Sequence, residues 1–337
     1  MQRCLDLAKN GLGTTYPNPL VGCVVVKDNV IISEGWHYKA GERHAEAQAI
    51  NGLKDKKLLA GATLYVSLEP CNHHGRTPPC AHLIADSGIT KVVVGAKDAN
   101  PVVNGSGIAY LQANGIEVIT DVLCHQAEAL NKRFFTFIKK QRPYIILKWA
   151  ETSNGYSAPL SKDLKRPVWI TTPESRQHVH KLRAQEQAIL IGSATLRQDN
   201  PRLTAKDWNN INPQAFVLGQ PKISDEALTL FKDPSHAQWI NPKQQWSAHQ
   251  IAQHLYKNGI QSVLVEGGTQ TIQSFIDQDL WDECYIYRSS VKWQSGISGP
   301  RLKTKTTKAS VSFGQDQLHH LLFKKETFSP KVSIQPS

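Results

Sequence analysis

The chain has 337 residues, a formal net charge of +11, and hydrophobic residues at 40% of its positions. This length predicts two domains, each large enough to bury a core of its own. No apolar run reaches the roughly 18 residues that span a bilayer, and no targeting segment is evident, so neither a membrane nor a secreted protein is expected. We therefore expect a cytoplasmic protein without a membrane partner.

The positive charge has two interpretations. It is compatible with nucleic-acid binding, and equally with a phosphorylated substrate and a polyanionic cofactor. Lys and Arg form no dense run, and no RNA-binding motif with interleaved aromatic residues is present. We expect no nucleic-acid partner.

The first half predicts an α/β domain. Strand-like apolar runs occupy residues 21–26, 30–36, 62–68, 91–95 and 117–120. Helical stretches begin near His44, Cys80 and Gly107, and Gly105-Ser106-Gly107 is interpreted as a loop and helix start. The alternation of strands and helices predicts a largely parallel sheet.

Three residues in this half suit a catalytic metal. His44, Cys71 and Cys80 offer one imidazole and two thiolates, which are donors that zinc prefers. Three protein ligands leave a fourth position for water, whereas structural zinc sites use four. Each residue alone is more often part of a core, but the joint pattern predicts a catalytic Zn²⁺ site.

Glu46 lies two residues after His44, where a proton shuttle is required. A base must take the proton of the attacking water, and an acid must protonate the leaving amine. The pattern H-x-E followed by two cysteines is the signature of zinc nucleobase deaminases, in which the Glu is not a ligand. We therefore predict that Glu46 is catalytic. The remaining four cysteines lack the spacing of a disulfide framework, which favours thiols in a reducing compartment.

A domain boundary is predicted at residue 142. Residues 126–140 have the pattern of one amphipathic helix, which must end before Pro143. The predicted domains are residues 1–142 and 143–337. In the second, strands are predicted at residues 144–150, 168–171, 188–192, 215–219 and 262–266, with helices at 173–183 and 247–258.

The second domain contains a glycine turn between a strand and a helix, Glu266-Gly267-Gly268-Thr269. Free N–H groups at such a turn form an anion site, which would suit the phosphates of a dinucleotide. An ordinary turn is the alternative. Lys148 lies within an apolar strand, where its charge needs a partner or a ligand.

Several stretches together resemble one family, the bifunctional riboflavin-biosynthesis deaminase/reductase. They include TTYPNPLVGCV (14–24), HAE (44–46), EPCNHHGRTPPC (69–80), RPYIILKWAE (142–151), LRAQEQAILIGSATLRQDNPRLT (182–204) and LVEGGTQT (264–271). The resemblance implies a cytidine-deaminase-like three-layer domain followed by a dihydrofolate-reductase-like domain. It also implies Zn²⁺ and NADPH as cofactors, a phosphorylated pyrimidine as the substrate, and a homo-oligomer. The implied reactions are deamination of 2,5-diamino-6-(5-phosphoribosylamino)pyrimidin-4(3H)-one and reduction of its ribosyl group to ribityl.

The resemblance also assigns roles to individual residues. In the deaminase, Asn18 would contact the pyrimidine, although turn formation explains it equally well. Asp199 would orient or protonate the reacting sugar and also contact the cofactor. The implied substrate contacts of the reductase are Lys148, Arg183, Arg202, Leu203, Lys206 and Glu266. The implied cofactor contacts are Glu151, Trp169, Thr195, Asp199, Gly267, Gly268 and Thr269.

Some features depart from the family or leave alternatives open. His73, His74 and Arg76, on the loop between the cysteines, are candidates for phosphate contact, with a solvated loop as the alternative. Asn154 and Pro167 differ from the usual family residues near the reductase pocket. Two other functions therefore remain, a deaminase with an impaired reductase half and a nucleic-acid base deaminase.

Overall fold

The computed structural model describes residues 1–73, 78–101, 103–162, 166–233, 237–241, 246–302 and 309–323. The helices in these ranges are α1 (Gln2–Ala8), α2 (Ala45–Gly52), α3 (Cys80–Ala85), α4 (Ser106–Ala113), α5 (Cys124–Leu130), α6 (Lys132–Lys140), α7 (Pro173–Gln185), α8 (Ser193–Asp199), α9 (Ala248–Lys257) and α10 (Thr269–Asp277). The strands are β1 (Gly22–Lys27), β2 (Val30–Trp36), β3 (Thr63–Leu68), β4 (Lys91–Ala96), β5 (Glu117–Ile119), β6 (Tyr144–Glu151), β7 (Tyr156–Ala158), β8 (Ala188–Gly192), β9 (Gln214–Leu218), β10 (Ala237–Ile240), β11 (Ser262–Glu266), β12 (Glu283–Arg288), β13 (Ile297–Ser298), β14 (Ala309–Phe313) and β15 (Asp316–Leu322). Among these described helices, none is both long and apolar enough to cross a membrane.

The first half contains a five-stranded sheet in the order β2-β1-β3-β4-β5. β3, β4 and β5 pair in parallel, but β1 pairs antiparallel with both β2 and β3. The prediction of a largely parallel sheet was therefore wrong, because half of the pairings are antiparallel. The antiparallel pairing of β1 with β2 follows from a tight hairpin at Asp28 and Asn29, whose φ angles of 48° and 62° match the turn that joins twisted antiparallel strands.

Helices cover both faces of this sheet. Alternate residues of a strand point to opposite faces, and in β1 Val25 packs against α2 while Val24 packs against α1. On the first face Ala49 and Ile84 join the same core, and on the second face α6 contributes Phe134 to another. The result is the three-layer arrangement that the family resemblance implies.

The predicted helix over residues 126–140 is two helices, α5 and α6. The break lies at Asn131, whose side chain accepts from the N–H of Leu20 at 2.7 Å and donates to the Leu20 carbonyl at 2.9 Å. This tertiary contact interrupts an otherwise helical pattern. The second helix ends at Gln141 in the left-handed conformation, just before Arg142-Pro143, as predicted.

The second half contains an eight-stranded sheet in the order β10-β9-β8-β11-β6-β12-β15-β14. The pairings from β10 to β12 are parallel, and those of β15 with β12 and β14 are antiparallel. β6 is central and largely buried, which explains its continuous apolar run. The predicted strand at residues 168–171 was wrong, since these residues have no regular structure and line a cleft instead.

The two halves pack directly against each other, as expected from the absence of a linker. Arg133 of α6 donates from Nε to Oε2 of Glu186 at 2.8 Å, and Glu186 is 3% exposed. Lys132 pairs with Glu283 of β12, which is also buried. Charged contacts therefore fix the orientation of the two sheets.

Candidate active sites

The predicted metal ligands lie together at the ends of three elements. His44 has extended backbone and immediately precedes α2, Cys71 follows the end of β3, and Cys80 is the first residue of α3. His44 Nδ1 is 3.6 Å from Cys71 Sγ and 3.4 Å from Cys80 Sγ. The three donor atoms lie within 4.8 Å of one another, so a single ion can contact all of them.

The donor set fits zinc. One imidazole nitrogen and two thiolate sulfurs are ligands that zinc prefers, and three protein ligands leave room for a water molecule. Among the described residues, these three form the only group of metal-ligating side chains close enough to hold an ion. The N–H of Cys80 donates to Cys71 Sγ at 3.4 Å, which favours the thiolate form. A hydrogen bond from Cys80 also lowers the pKa of the Cys71 thiol to about 4.

Glu46 lies on the first turn of α2 beside this ligand set. Its side chain is 3% exposed, and burial raises the pKa of its carboxyl to about 7. It interacts electrostatically with Cys71 and His44. The structure therefore places the predicted proton shuttle next to the metal ligands and away from bulk water.

Glu69 supports the segment of the proposed ligand Cys71, a role that the sequence does not indicate. It is 4% exposed and precedes the ligand Cys71 by two residues. Its carboxylate accepts from the N–H groups of Asp98, Gly105 and Gly107 at 3.2, 3.0 and 3.1 Å. Glu69 therefore fastens the ligand segment to the start of α4.

Asn18 lies near the metal ligands and is oriented by His37. Asn18 Nδ2 is 3.0 Å from His37 Nε2, and the His37 ring lies 5.3 Å from that of His44. The other ring nitrogen of His37 is 3.1 Å from the carbonyl of Arg43, to which it must donate. Burial lowers the pKa of His37, so its Nε2 accepts from Asn18. The Asn18 oxygen is then left to accept from a ligand.

His37 was not predicted as a site residue, because nothing in the motif around it indicates that its ring contacts Asn18. Residues on the loop between Cys71 and Cys80 were also candidates for phosphate contact. Of these, His73 is described, whereas His74 and Arg76 lie outside the described residues.

A second site lies in the other half as a cleft of about 560 Å³. The predicted residues that line it are Lys148, Trp169, Arg183, Thr195, Asp199, Arg202, Leu203, Lys206, Glu266, Gly267, Gly268 and Thr269. Glu151 lies behind the cleft wall, where its carboxylate accepts from Trp149 Nε1 at 3.0 Å and from Arg288 Nε at 2.9 Å. Its predicted cofactor contact remains a prediction.

Glu266 is paired with two cations inside this cleft. Arg183 donates to both of its oxygens, at 2.8 and 2.9 Å, and Lys148 Nζ is 3.5 Å from Oε2. Burial alone would raise the pKa of Glu266, but attraction to Arg183 and Lys148 lowers it to about 2. The partner that the sequence required for Lys148 is therefore Glu266.

The glycine turn closes one end of the cleft. Gly267 and Gly268 have φ angles of 94° and 68°, and a Cβ on Gly267 would lie 2.9 Å from Thr195 Cγ2. α10 begins directly afterwards, at Thr269. Main-chain N–H groups at this turn and the cations of the cleft suit the phosphates of a dinucleotide, so the site fits NADPH.

Asp199 has a partner that the sequence did not indicate. Lys162 forms an ion pair with it, and both side chains line the cleft. The side chain of Asn154, which departs from the family pattern, donates to the carbonyl of Trp293 at 2.7 Å and so stabilises a turn. Pro167, the other departure, lines the cleft.

Comparisons with known proteins agree with this two-site architecture. Residues 1–96 match the model of the cytidine and deoxycytidylate deaminase zinc-binding region, and residues 143–291 match that of the RibD C-terminal domain. The chain is 36% identical to the riboflavin biosynthesis protein RibD of Aquifex aeolicus over 95% of this chain and 94% of that protein. The chain belongs to the RibD family.

Solved RibD structures share the fold. Acinetobacter baumannii RibD has a TM-score of 0.87 with 30% identity, over 96% of this chain and 98% of that one. The diaminohydroxyphosphoribosylaminopyrimidine deaminase/5-amino-6-(5-phosphoribosylamino)uracil reductase from Thermotoga maritima has a TM-score of 0.83 with 35% identity, over 96% and 97%. The expected fold class, a cytidine-deaminase-like domain followed by a dihydrofolate-reductase-like one, is thus confirmed.

As a member of the RibD family, the chain is a bifunctional enzyme of riboflavin biosynthesis, a deaminase and a reductase. Its deaminase domain acts on small nucleotide-like substrates. Its cofactors are Zn²⁺ and NADPH, as the sequence predicts. The alternatives of a nucleic-acid base deaminase and an impaired reductase are not favoured.

Proposed function

We propose that the first site deaminates 2,5-diamino-6-(5-phosphoribosylamino)pyrimidin-4(3H)-one and that the second reduces the ribosyl group of the product to ribityl. The observation that carries this proposal is the presence of two complete sites on one chain, a zinc-type ligand set beside Glu46 and a cationic cleft closed by a glycine turn. The name of the Thermotoga maritima protein, which covers both reactions, supports it.

In deamination, we assign binding of the pyrimidine to Asn18 and proton transfer to Glu46. Zn²⁺, when bound by His44, Cys71 and Cys80, supplies Lewis-acid activation of a water molecule. Glu46 takes a proton from the attacking water and returns one to the departing amine, so that ammonia leaves. The amide of Asn18, oriented by His37, presents its oxygen as an acceptor to the ring.

In reduction, the cleft residues position the sugar and its phosphate. NADPH, when bound, supplies the hydride. Gly267, Gly268 and Thr269 would receive its phosphates, and Asp199 would orient or protonate the reacting sugar beside Lys162. The ribosylamine ring opens to an imine, which takes the hydride at its carbon and a proton at its nitrogen while the cleft holds that carbon in line.

The remaining predicted contacts complete this assignment of the cleft. The proposed substrate contacts are Lys148, Arg183, Arg202, Leu203, Lys206 and Glu266, and the further cofactor contacts are Glu151, Trp169 and Thr195. Arg183 is the phosphate candidate although it already pairs with Glu266, because a guanidinium has five donors and the pairing uses only some of them.

We also propose a domain boundary between residues 142 and 143, a phosphorylated pyrimidine rather than a nucleic acid as the partner, and a homo-oligomeric state. The boundary is supported by the end of α6 at Lys140 and the start of the second sheet at Tyr144. None of the six cysteines, all of which lie in the described ranges, forms a disulfide, which supports a cytoplasmic location.

One assay tests the proposal. Purified full-length protein, loaded with zinc, is incubated with the pyrimidine ribotide, and ammonia release and NADPH oxidation are followed separately. We expect ammonia without NADPH, and NADPH oxidation only after deamination or on addition of the deaminated compound. Absence of ammonia release, or oxidation of NADPH by the undeaminated compound at the same rate, would contradict the assignment.

A further inference from the structure

We propose that Gln261 and Ser262, in the reductase half, are positioning residues for the deamination reaction. They hold residues 15–20, here called the substrate loop, which carries Asn18. The inference rests on the proposed contact between Asn18 and the pyrimidine. It adds to that function a contribution from the other half of the chain.

Gln261 holds the main chain next to Asn18. Its Nε2 donates to the carbonyl of Pro17 at 2.6 Å, and the Gln261 side chain is almost wholly buried. The main chain of Gln261 is itself fixed, because its N–H donates to Gln187 Oε1 at 2.7 Å and its carbonyl accepts from the N–H of Tyr144 at 2.8 Å. The donor that reaches Pro17 is therefore part of the rigid start of the second sheet.

Ser262 holds the loop through Tyr16. The Tyr16 hydroxyl is 3.0 Å from the carbonyl of Gln185 and 2.9 Å from Ser262 Oγ. A carbonyl only accepts, so the Tyr16 proton is directed to Gln185 and Ser262 must donate to the Tyr16 oxygen. Ser262 Oγ in turn accepts from the N–H of Gln187 at 3.0 Å. Every donor in this buried network of hydrogen bonds is thus matched to an acceptor.

The loop is also held at both ends. Two residues before its start, Gly13 packs against α7 so closely that a Cβ there would lie 2.1 Å from the carbonyl of Ala184. At its end, Leu20 is held through both main-chain polar groups by Asn131. Between these points, the hydrogen bonds that fix Tyr16 and Pro17 come from the reductase half. Loss of the hydrogen bond from Gln261 to Pro17, or of that between Tyr16 and Ser262, therefore loosens the segment immediately before Asn18.

The expected effect is on binding more than on chemistry. Asn18 contacts the substrate ring in the proposed function, whereas Glu46 and the metal ligands lie on α2, α3 and the end of β3. A looser loop would misplace the Asn18 amide relative to His37 and leave those other elements unchanged. The KM of deamination should then rise with little change in kcat.

The test uses the full-length, zinc-loaded enzyme with Gln261→Met and Tyr16→Phe. Methionine approximates the length of glutamine without a donor, and phenylalanine removes only the hydroxyl. Loss of one such hydrogen bond corresponds to an increase of about three- to tenfold in KM for the pyrimidine ribotide. We expect kcat of ammonia release, zinc content, and reductase kinetics with separately supplied deaminated substrate to stay within about twofold of wild type.

Gln253→Met is the matched control. Gln253 Nε2 also donates to a main-chain carbonyl, that of Gln141, at 3.0 Å, but on the exposed surface and away from the loop. We expect both reactions to be unchanged in this variant. If Gln253→Met raises the deamination KM as much as Gln261→Met does, any weakening of the contact between the halves raises this KM, and the proposal is wrong.

Asn18→Ala separates the inference from the proposed function. If Asn18→Ala leaves the deamination KM unchanged, the proposed assignment of pyrimidine binding to Asn18 is wrong. If Asn18→Ala raises that KM while Gln261→Met and Tyr16→Phe do not, only the positioning role is wrong. If Gln261→Met or Tyr16→Phe loses zinc and its deaminase and reductase activities fall in parallel, the positioning role is also wrong. Tyr16→Phe, the smaller change, keeps the test valid if Gln261→Met does not fold.

Discussion

Gly107 packs against Pro70 so closely that a Cβ at position 107 would lie 1.9 Å from the Pro70 carbonyl oxygen. This contact brings the first turn of α4 onto the segment that precedes the ligand Cys71. The N–H of Gly107 donates to Glu69 at the same place. The geometry of the metal site therefore depends on a glycine in a helix that contributes no ligand.

Gly107→Ala should weaken zinc binding. The added methyl group must push the Pro70–Cys71 segment away, and disturbance of groups that orient metal ligands costs about 10- to 100-fold in metal affinity. Competition with a chelator, followed by metal analysis, measures this affinity. Gly52→Ala is the control, since a Cβ there meets nothing closer than 4.0 Å. Equal zinc affinity in the two variants would contradict the prediction.

Glu46→Gln should separate metal binding from deamination. The ligands His44, Cys71 and Cys80 are unchanged, so zinc content should equal that of wild type. Ammonia release should slow by about 10²- to 10⁴-fold because the proton shuttle is lost. Reduction of separately supplied deaminated substrate should be unaffected. Turnover at the wild-type rate would remove Glu46 from the mechanism.

Glu266→Gln should destabilise the protein in a pH-dependent way. The folded-state pKa of Glu266, about 2, lies below its ordinary value of 4.5, so its ionised form stabilises the fold above pH 4.5. This difference in pKa corresponds to a contribution of ~3 kcal/mol to the free energy of unfolding at pH 7. The contribution is lost as the pH falls from about 4.5 toward 2, and the difference between wild type and variant should narrow over that window.

Urea unfolding at several pH values checks this expectation. Glu128→Gln serves as its control, because Glu128 pairs with Lys139 on the surface at 3.3 Å. Exposed pairs contribute about 0–1 kcal/mol, so this variant should stay close to wild type throughout. A difference between Glu266→Gln and wild type that is constant from pH 7 to pH 3 would contradict the assignment.

Gly267→Ala should impair cofactor binding. It places a side chain in a left-handed backbone conformation and 2.9 Å from Thr195 Cγ2, where the NADPH phosphates are proposed to bind. We expect the KM for NADPH to rise about tenfold or more while deamination is unchanged. Gly259→Ala carries similar backbone strain, with φ of 74°, but meets nothing within 4 Å. An unaltered KM for NADPH in Gly267→Ala would rule out the turn as a phosphate site.

The clustering of the proposed metal ligands could be predicted from sequence because the chemistry of zinc limits them to a few residue types. His44, Cys71 and Cys80 follow from those types and from their places at the ends of predicted elements. The limits of β2 and β11 were also predicted to the residue, since each is a short apolar run bounded by turn residues. The local sequence pattern and the donor chemistry of zinc are sufficient to predict these features.

The partners of the site residues could not be predicted, because they come from distant parts of the chain. Lys162 reaches Asp199 across 37 positions, and Glu69 reaches Gly107 across 38. The break at Asn131 likewise depends on Leu20, 111 positions away. Helical periodicity contains no information about such contacts, so a single helix was predicted where two are present.

In the proposed roles of Ser262 and Glu266, β11 serves both reactions with only five residues. At its start Ser262 supports the loop of one site, and at its end Glu266 lies in the cleft of the other. A mutation in this strand is therefore subject to selection through two consecutive metabolic steps. Directed evolution of either activity alone should accept few substitutions here, and variants chosen for a new reductase substrate should be screened for ammonia release as well.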